Sequence, residues 1–294
     1  MGVWIAAAIT TALALLAVGG VLVRVTRARP EVRPLLAVAI ALTVPACASA
    51  LFGFREPVLH KVWLAVARLG HAGLTDAEVK KTVLYGFLRM LDAPVGEELA
   101  KLWPLAIPWV RRELAKHEPV RLGMALGLGF GVGEIWVVAW LVAKSPSVAG
   151  LPFWAFGGFL MERLLVCFMH GAFTATAVRR WGRGFGWGVL GGMGLHFIGN
   201  FPIFFRILDK PSLSPTVWAQ LLSFWVVLYA IAMIALVSRY LYGKFEPGEL
   251  LHGTAVCSHC HGTYPRPLLL ALNFGARRYE RCGLCGKWQW NRGR

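Results

Sequence analysis

The stretch VWIAAAITTALALLAVGGVLV, residues 3–23, carries no charged side chain over 21 consecutive positions. A helix of roughly 20 apolar residues is long enough to cross the hydrocarbon core of a bilayer. Two further uncharged runs of similar length follow, Pro34–Phe54 and Thr216–Ser238. These three runs predict a protein that crosses the membrane several times.

Four other apolar segments contain a few polar groups: Thr82–Val110, Leu122–Ala143, Leu151–Val178 and Phe185–Phe205. Together with the uncharged runs they predict an all-α polytopic membrane domain of about seven transmembrane helices over residues 1–242. The composition agrees, because only 16% of the residues are charged against about a quarter in soluble domains. The mixed segment Arg55–Lys81 is interpreted as either an interfacial helix or a misplaced span.

The distribution of basic residues predicts the orientation, because Lys and Arg near the ends of spans favour the cytoplasm. If seven spans are counted, one side collects Arg24, Arg27, Arg29, Arg33, Arg111, Arg112, Lys116, Arg121, Arg179, Arg180 and Arg183, and the other side Lys144, Arg206 and Lys210. We therefore expect a multi-pass cell-membrane protein with its N-terminus outside and its C-terminus in the cytoplasm. The first run has no basic residue before it, so it is not expected to be a cleaved signal peptide. The net charge of +16 is explained by loops facing anionic lipid, without a need for nucleic-acid binding.

Residues 243–294 differ in character and contain CSHCHG and CGLCGK, two Cys-x-x-Cys pairs separated by 21 residues. Cys257, Cys260, Cys282 and Cys285 in this pattern predict a structural Zn²⁺ held by four thiolates. Two disulfides are the competing interpretation, which a cytoplasmic location disfavours. Gly262 and Gly286 are expected to tighten the two turns.

The histidines and basic aromatic residues around this zinc ribbon leave further alternatives. His259 or His261 could replace a cysteine as a ligand. The basic and aromatic residues around the ribbon predict a surface that lies against anionic lipid. A module that docks a nucleic acid or a cytoplasmic protein is the alternative. These residues are Arg277, Arg278, Arg281, Lys287, Trp288, Trp290, Arg292 and Arg294. Cys47 and Cys167, in apolar spans, are interpreted as core residues.

Ionisable residues recur in four consecutive apolar segments, where each costs about 2.5–3.5 kcal/mol at a helix centre. They are Glu97, Glu98 and Lys101, then Glu134, then Glu162, Arg163 and His170, and finally His196, which is followed by Asn200. Glu97 and Lys101 are four residues apart, as are His196 and Asn200, so each pair shares a helix face. We expect these groups to form one buried cluster. A single histidine in such a place is more often a packing residue, and Arg163 could simply neutralise a glutamate.

The chemistry of such a cluster has several interpretations. A carboxylate near imidazoles can act as a general base on water, while imidazole and amide N–H groups stabilise an oxyanion. One Glu with two His could also bind a divalent metal with a water at an open position. Proton relays and ion pathways use the same residue types.

The ordered motifs resemble the PrsW family of intramembrane proteases, within the larger group of CAAX prenyl endopeptidases and their bacterial relatives. The resemblance covers about residues 90–205 and is carried by EELAK (97–101), GFGVGE (129–134), HGAFTA (170–175) and HFIGN (196–200). They match the EExxK, FxxxE (Phe130 and Glu134) and HxxxN patterns of that group. Ile135 departs from PrsW proteins, which often have Asn there. The stretch MERLLVCFMHGAF (161–173) is similar to the YhfC-type branch of the same superfamily, a group of intramembrane metalloproteases.

The resemblance implies a glutamate-dependent endopeptidase that hydrolyses a peptide bond of a membrane protein or peptide. It implies that Glu97 or Glu98 activates water and that His196 and Asn200 stabilise the oxyanion. Glu134 would hold the place that is histidine in CAAX endopeptidases. Lys101 would pair with a glutamate, and Arg163 and His170 would support the site. Whether a divalent metal takes part is left open.

Two other functions remain as alternatives: a non-enzymatic membrane scaffold or sensor that recruits a partner through its ribbon, and a transporter or proton pathway. A protease requires the acids, His196 and Asn200 within reach of one water. A scaffold predicts dispersed groups, each paired separately, and a transporter predicts a path across the membrane. The glycines at four-residue spacing are predicted to serve helix packing; they are Gly123, Gly127 and Gly131 in one segment and Gly188 and Gly192 in another.

Overall fold

The computed structural model describes residues 1–20, 22, 32–71, 73–116, 119–148, 150–179, 185–208, 214–242, 254–266, 271–274 and 277–292. Several basic residues used above lie outside the described residues: Arg24, Arg27, Arg29, Arg180, Arg183, Lys210 and Arg294. The chain forms two compact units, Met1–Ala230 and Ile231–Arg294. The boundary predicted after residue 242 is the end of the last helix, whereas the units divide within that helix.

The helices are α1 Gly2–Gly20, α2 Arg33–Thr43, α3 Ala46–Ala48, a π-helix Ser49–Leu59, α4 His60–Leu69, α5 Asp76–Val79, α6 Val83–Met90, α7 Asp92–Leu102, α8 Pro108–Lys116, α9 Pro119–Ala143, α10 Gly157–Val178, α11 Phe185–Leu208 and α12 Pro215–Tyr242. Short 3₁₀ turns occupy Trp103–Ala106 and Phe153–Phe156.

Among the described residues, five helical stretches are long and apolar enough to cross a membrane. They are Gly2–Gly20, Arg33–Leu69, Pro119–Ala143, Phe153–Val178 and Thr216–Tyr240. These helices confirm the predicted class of helical membrane protein, but the count of seven spans is not confirmed. The segment Thr82–Val110 is divided among α6, α7 and α8, and α11 carries the polar His196 and Asn200 within an apolar run.

The second stretch runs through α2, α3, the π-helix and α4 without leaving the helical conformation. The first part of the mixed segment, residues 55–69, therefore continues this helical stretch. The continuation is unexpected because Pro57 lies inside it and lacks the N–H that an α-helix requires. The wider π turn accommodates it, and the N–H of His60 donates to the carbonyl of Arg55, five residues back.

Glycines on two faces of α9 let its backbone approach two neighbouring segments. A Cβ at Gly127 would lie 2.2 Å from the carbonyl oxygen of His170 in α10, and one at Gly133 would lie 2.0 Å from that of Val44. Gly188 in α11 is equally close to Ala177, with 2.4 Å to its carbonyl oxygen. The predicted packing role of the glycines is confirmed, and it sets α10 between α9 and α11.

The second unit contains five short antiparallel strands after α12: β1 Thr254–Val256, β2 Thr263–Pro265, β3 Ala271–Phe274, β4 Arg277–Arg281 and β5 Trp288–Arg292. The first two form a hairpin, and the others form a three-stranded sheet in the order β3-β4-β5. Each Cys-x-x-Cys pair therefore lies at the end of a strand.

Candidate functional site

A cavity of about 290 Å³ in the first unit collects most of the polar residues predicted to cluster. Its lining includes Arg55, Glu97, Glu134, Glu162, Arg163, His170, His196 and Asn200. These residues come from the π-helix, α7, α9, α10 and α11. The groups converge on one space and do not form separate pairs along the helices.

Glu98 and Lys101 form the buried centre of the site. Both side chains are fully buried, and the Nζ of Lys101 lies 2.5 Å from the Oε1 of Glu98. The same oxygen lies 2.8 Å from the Nδ1 of His196. Because Nδ1 is held by this carboxylate, the ring turns its Nε2 toward the cavity. A carboxylate that fixes an imidazole in this way sets its orientation and favours one tautomer.

Glu97, one residue earlier, belongs to the cavity wall. Its Oε1 accepts a 2.6 Å hydrogen bond from the Nη1 of Arg55. Its Oε2 lies 3.8 Å from the Nε2 of His196. That separation exceeds a hydrogen bond and leaves both atoms able to contact one water molecule.

His170 occupies the position between Lys101 and Glu134. Its Nδ1 lies 2.6 Å from the Nζ of Lys101, and its Nε2 lies 2.6 Å from the Oε2 of Glu134. The Lys101 ammonium can only donate, so the Nδ1 of His170 accepts a hydrogen bond from it. The Nε2 therefore carries the ring proton and donates a hydrogen bond to Glu134. The other oxygen of Glu134 accepts a 2.9 Å hydrogen bond from Arg163, which also pairs with Glu162 at 2.6 Å.

Two phenylalanines enclose the charged groups. Phe130, four residues before Glu134 on α9, lies with its ring centroid 4.8 Å from the Nζ of Lys101. Phe173 stacks on His196 at 5.1 Å between centroids. The two rings cover the buried pair Glu98–Lys101, and Phe130 also makes a cation–π contact with Lys101. This contact gives a physical reason for a phenylalanine four residues before Glu134.

Asn200 lies one helical turn after His196 and lines the same cavity. The neighbouring wall is apolar and includes Leu222 and Trp225 of α12. The Trp225 indole donates to the carbonyl of Gly199 at 3.0 Å, which holds α11 and α12 together beside Asn200. The cavity thus presents an amide on one side and an apolar wall beside it.

The residues Glu97, His170 and His196 offer ligand atoms within 4.8 Å of one another. This donor set suits a divalent metal such as zinc in type and separation. However, both nitrogens of His170 already have partners, and the Lys101 ammonium beside the ring repels a cation. Three cations (Arg55, Lys101, Arg163) also nearly balance four carboxylates (Glu97, Glu98, Glu134, Glu162). Both ring nitrogens of His170 are already hydrogen-bonded, so an ion bound there would have to replace one of these contacts.

The motif residues predicted from the sequence are brought together, but two pairings differ. Lys101 pairs with Glu98 three residues away, whereas the sequence drew attention to Glu97 at four. Glu97 pairs instead with Arg55. The sequence did not predict Arg55 in the site, because this residue begins the mixed segment Arg55–Lys81 after the apolar run. The available signal was a single arginine at the end of a long apolar run.

In the second unit the four cysteines lie together and are free of disulfides. Their Sγ atoms are separated by 3.6 Å (Cys257 to Cys285) and 3.9 Å (Cys260 to Cys282). Tetrahedral Zn–S bonds of about 2.3 Å place sulfurs about 3.8 Å apart. The cluster is therefore compatible with a metal site. His259 and His261 are exposed and are not among the clustered ligands.

The two turns around the cysteines have matching hydrogen bonds. His261 N–H donates to the carbonyl of Cys257, and Gly286 N–H donates to that of Cys282, both at 2.9 Å. The left-handed positions are His261 (φ 57°) and Gly286 (φ 72°). The prediction that Gly286 tightens its turn is confirmed. In the other turn His261 is the left-handed residue, and Gly262 comes directly after it.

Backbone donors also point at the sulfur atoms. Burial alone would raise the pKa of Cys257, but the N–H groups of Cys260 and His259 lower it to about 6. These donors lie 3.4 Å from the sulfur. N–H groups directed at a sulfur stabilise the thiolate that a metal requires.

The three-stranded sheet has two unlike faces. Arg278 is only 1% exposed and lies 3.0 Å from the buried carboxylate of Glu280, so it does not belong to the predicted basic surface. The other face carries Tyr279, which stacks on Trp288 and contacts Trp290 at 5.3 and 5.0 Å between centroids. Both tryptophans are exposed, as is Arg281.

Comparisons of the chain with protein-family models, with curated proteins and with solved structures found no match.

Proposed function

We propose that the membrane unit is a glutamate-dependent endopeptidase that hydrolyses a peptide bond of a membrane-associated protein. The observation that supports this proposal best is the pair formed by Glu97 and His196, whose Oε2 and Nε2 atoms are 3.8 Å apart beside Asn200 in one cavity. A hydrolytic site needs a base, a polarising group and room for a water between them. The resemblance to PrsW-like proteases points to the same residues.

In the proposed reaction Glu97 takes a proton from water as the water oxygen bonds to the peptide carbonyl carbon. The carbonyl electron pair moves to oxygen and forms a tetrahedral oxyanion. The Asn200 amide donates to this oxyanion, as does the Nε2 of His196 when the ring carries both protons. Glu97 then gives its proton to the amide nitrogen, the C–N bond breaks, and a carboxylic acid and an amine result.

The remaining charged residues hold this geometry. Glu98 orients His196 and is itself neutralised by Lys101. Glu134 fixes His170, whose Nδ1 in turn holds Lys101. We therefore assign Glu97 the role of base and Glu98 and Glu134 the role of positioning residues.

The convergence of these groups favours hydrolysis over the two alternatives. A scaffold would need no cavity between its polar residues, and a transporter would need them along a path across the membrane. A metal-assisted hydrolase is the second candidate, because Glu97, His170 and His196 lie within 4.8 Å of one another. In that case the metal would polarise the water, and these three residues would hold it.

The test is cleavage of a library of apolar helical peptides by the purified protein in lipid nanodiscs. We expect the wild type to cleave a subset and Glu97→Gln to cleave none at equal folding. Glu162→Gln is the matched control, because Glu162 lines the same cavity but contacts only Arg163 among the described pairings. Activity that survives exhaustive chelation supports the ion-free site. A wild type that binds peptides without cleaving them would refute the proposal.

For the second unit we propose a structural Zn²⁺ on Cys257, Cys260, Cys282 and Cys285 in the cytoplasm. We also propose that Tyr279, Trp288 and Trp290 with Arg281 bind anionic lipid headgroups, since such aromatic residues favour membrane interfaces and basic residues favour anionic lipid. We further propose that the chain has seven membrane spans and an external N-terminus, which would place this unit in the cytoplasm. Slower hydrogen exchange of β4–β5 in anionic than in zwitterionic nanodiscs would support the lipid contact, and equal exchange would refute it; recruitment of a cytoplasmic protein is then the remaining role.

A further inference from the structure

An apolar groove of about 470 Å³ lies between α7 and residues 45–54 of the second helical stretch. Small residues line both of its walls at four-residue spacing, Ala46 and Ala50 on one side and Gly96 and Ala100 on the other. Leu99 and Trp103 border it and are 45% and 42% exposed. The other wall belongs to Arg33–Leu69, a stretch long and apolar enough to cross a membrane, so we expect the groove to open to the bilayer.

The groove and the polar cavity come together at neighbouring residues of α7, beside the side chains of Arg55 and Leu59. Gly96 lines the groove, and the next residue, Glu97, lines the cavity. A Cβ at Gly96 would lie 2.8 Å from the Cγ of Arg55, so the arginine stem lies directly across this glycine. Beyond the stem, the guanidinium pairs with Glu97 at 2.6 Å.

Arg55 is held in a way that permits movement. It projects from the π-helix Ser49–Leu59, and π-helical turns are rare and are found frequently at functional sites. Its Nη1 bonds Glu97, while its Nε is buried without a hydrogen-bond partner among the described residues. A displaced Arg55 would open the groove into the cavity and free its guanidinium to donate to an incoming carbonyl.

We propose that this groove binds an apolar helical segment of the substrate and that Arg55 is a positioning residue that separates it from the cavity until the segment is seated. This inference rests on the proposed hydrolysis and names the access route and the chemical class of substrate. Small residues at this spacing admit another helix closely. The groove also ends at Gly96, the residue next to the base Glu97, which favours a peptide over a lipid acyl chain as its occupant.

The test uses the full chain with Glu97→Gln, in nanodiscs, with a photoreactive benzoylphenylalanine at Leu99 or at Leu141. Leu141 is a matched control, because it is a 48% exposed leucine on α9 outside the groove. A biotinylated apolar helical peptide should crosslink at position 99, be displaced by unlabelled peptide, and give only background at position 141. Crosslinks to lipid alone at position 99 would overturn the proposal.

Kinetics then separate binding in the groove from positioning at the cavity. Ala100→Leu should raise KM about tenfold with little change in kcat, because the added side chain fills the groove. Arg55→Met should instead lower kcat, and Arg55→Lys should restore part of it.

Three outcomes distinguish this inference from the hydrolytic proposal. Peptide crosslinking at position 99 without cleavage by the wild type would uphold the groove and refute the hydrolase. Cleavage by the wild type without crosslinking, or with an unchanged KM for Ala100→Leu, would refute the groove and leave the hydrolase standing.

Discussion

Glu97 and His196 face each other across 3.8 Å, from the Oε2 of one to the Nε2 of the other, on two different helices. Each group is fixed from behind, Glu97 by Arg55 and His196 by Glu98. The facing atoms carry no hydrogen bond to each other, so they form a receptacle for a small polar molecule. Adjacent glutamates in the chain thus have different surroundings and different roles.

The two glutamates are expected to respond differently to the same substitution. Glu97→Gln removes the base and should lower kcat by at least a hundredfold with little change in Tm. Glu98→Gln leaves the fully buried Lys101 without its ion-pair partner and should destabilise the protein by about 3–5 kcal/mol. Thermal unfolding in detergent beside steady-state cleavage measures both effects. Equal Tm values for the two variants would contradict this division of roles.

The pair formed by Arg163 and Glu134 allows a double-mutant test. Among the described residues, Arg163→Met alone leaves Glu134 with His170 as its one side-chain partner, and we expect it to destabilise the protein markedly. Adding Glu134→Gln removes the uncompensated charge and should recover part of the lost stability. Additive losses in Tm across the two single variants and the double variant would show that the residues act independently.

The close approach of α9 to α10 predicts a strong effect of one methyl group. Gly127→Ala would place a Cβ 2.2 Å from the backbone oxygen of His170, so the helices must separate and His170 must move. We expect lower Tm and lower activity. Gly194→Ala is the control, since nothing lies within 4 Å of that position, and it should be neutral or slightly stabilising because alanine favours helix. Similar effects of the two variants would contradict the packing account.

The left-handed residues of the two cysteine turns predict opposite effects on the proposed zinc site. Gly286→Ala introduces a side chain at φ 72° and should weaken metal retention, by about 1 kcal/mol. His261→Gly relieves the same strain in the other turn and should strengthen retention slightly. Zinc release to a chromogenic chelator, followed at several chelator concentrations, measures this. Faster zinc release from the His261→Gly variant than from the wild type would contradict the expected relief of backbone strain.

The sequence alone predicted the helical membrane class, the clustered motif residues and the cysteine site, because apolar length, charge in apolar segments and ligand spacing are local signals. The sequence did not predict which glutamate pairs with Lys101, because residues three and four positions away both lie on the same helix face as the lysine. Arg55 was not predicted in the site because it begins the mixed segment Arg55–Lys81, and only the packed structure shows that a π-helix carries the chain past Pro57 and places Arg55 beside Glu97. The burial of Arg278 was also not predicted, because it depends on which face of β4 is covered; Arg278 and Glu280 share that buried face and form an ion pair.

The most direct measurement of the central claim is peptide hydrolysis in ¹⁸O-labelled water, followed by mass spectrometry of the products. We predict one ¹⁸O atom in the new carboxyl group with the wild type and with Glu162→Gln, and no product with Glu97→Gln or His196→Ala at unchanged folding. Cleavage by Glu97→Gln at the wild-type rate, or no product from the wild type with any bound peptide, would contradict it.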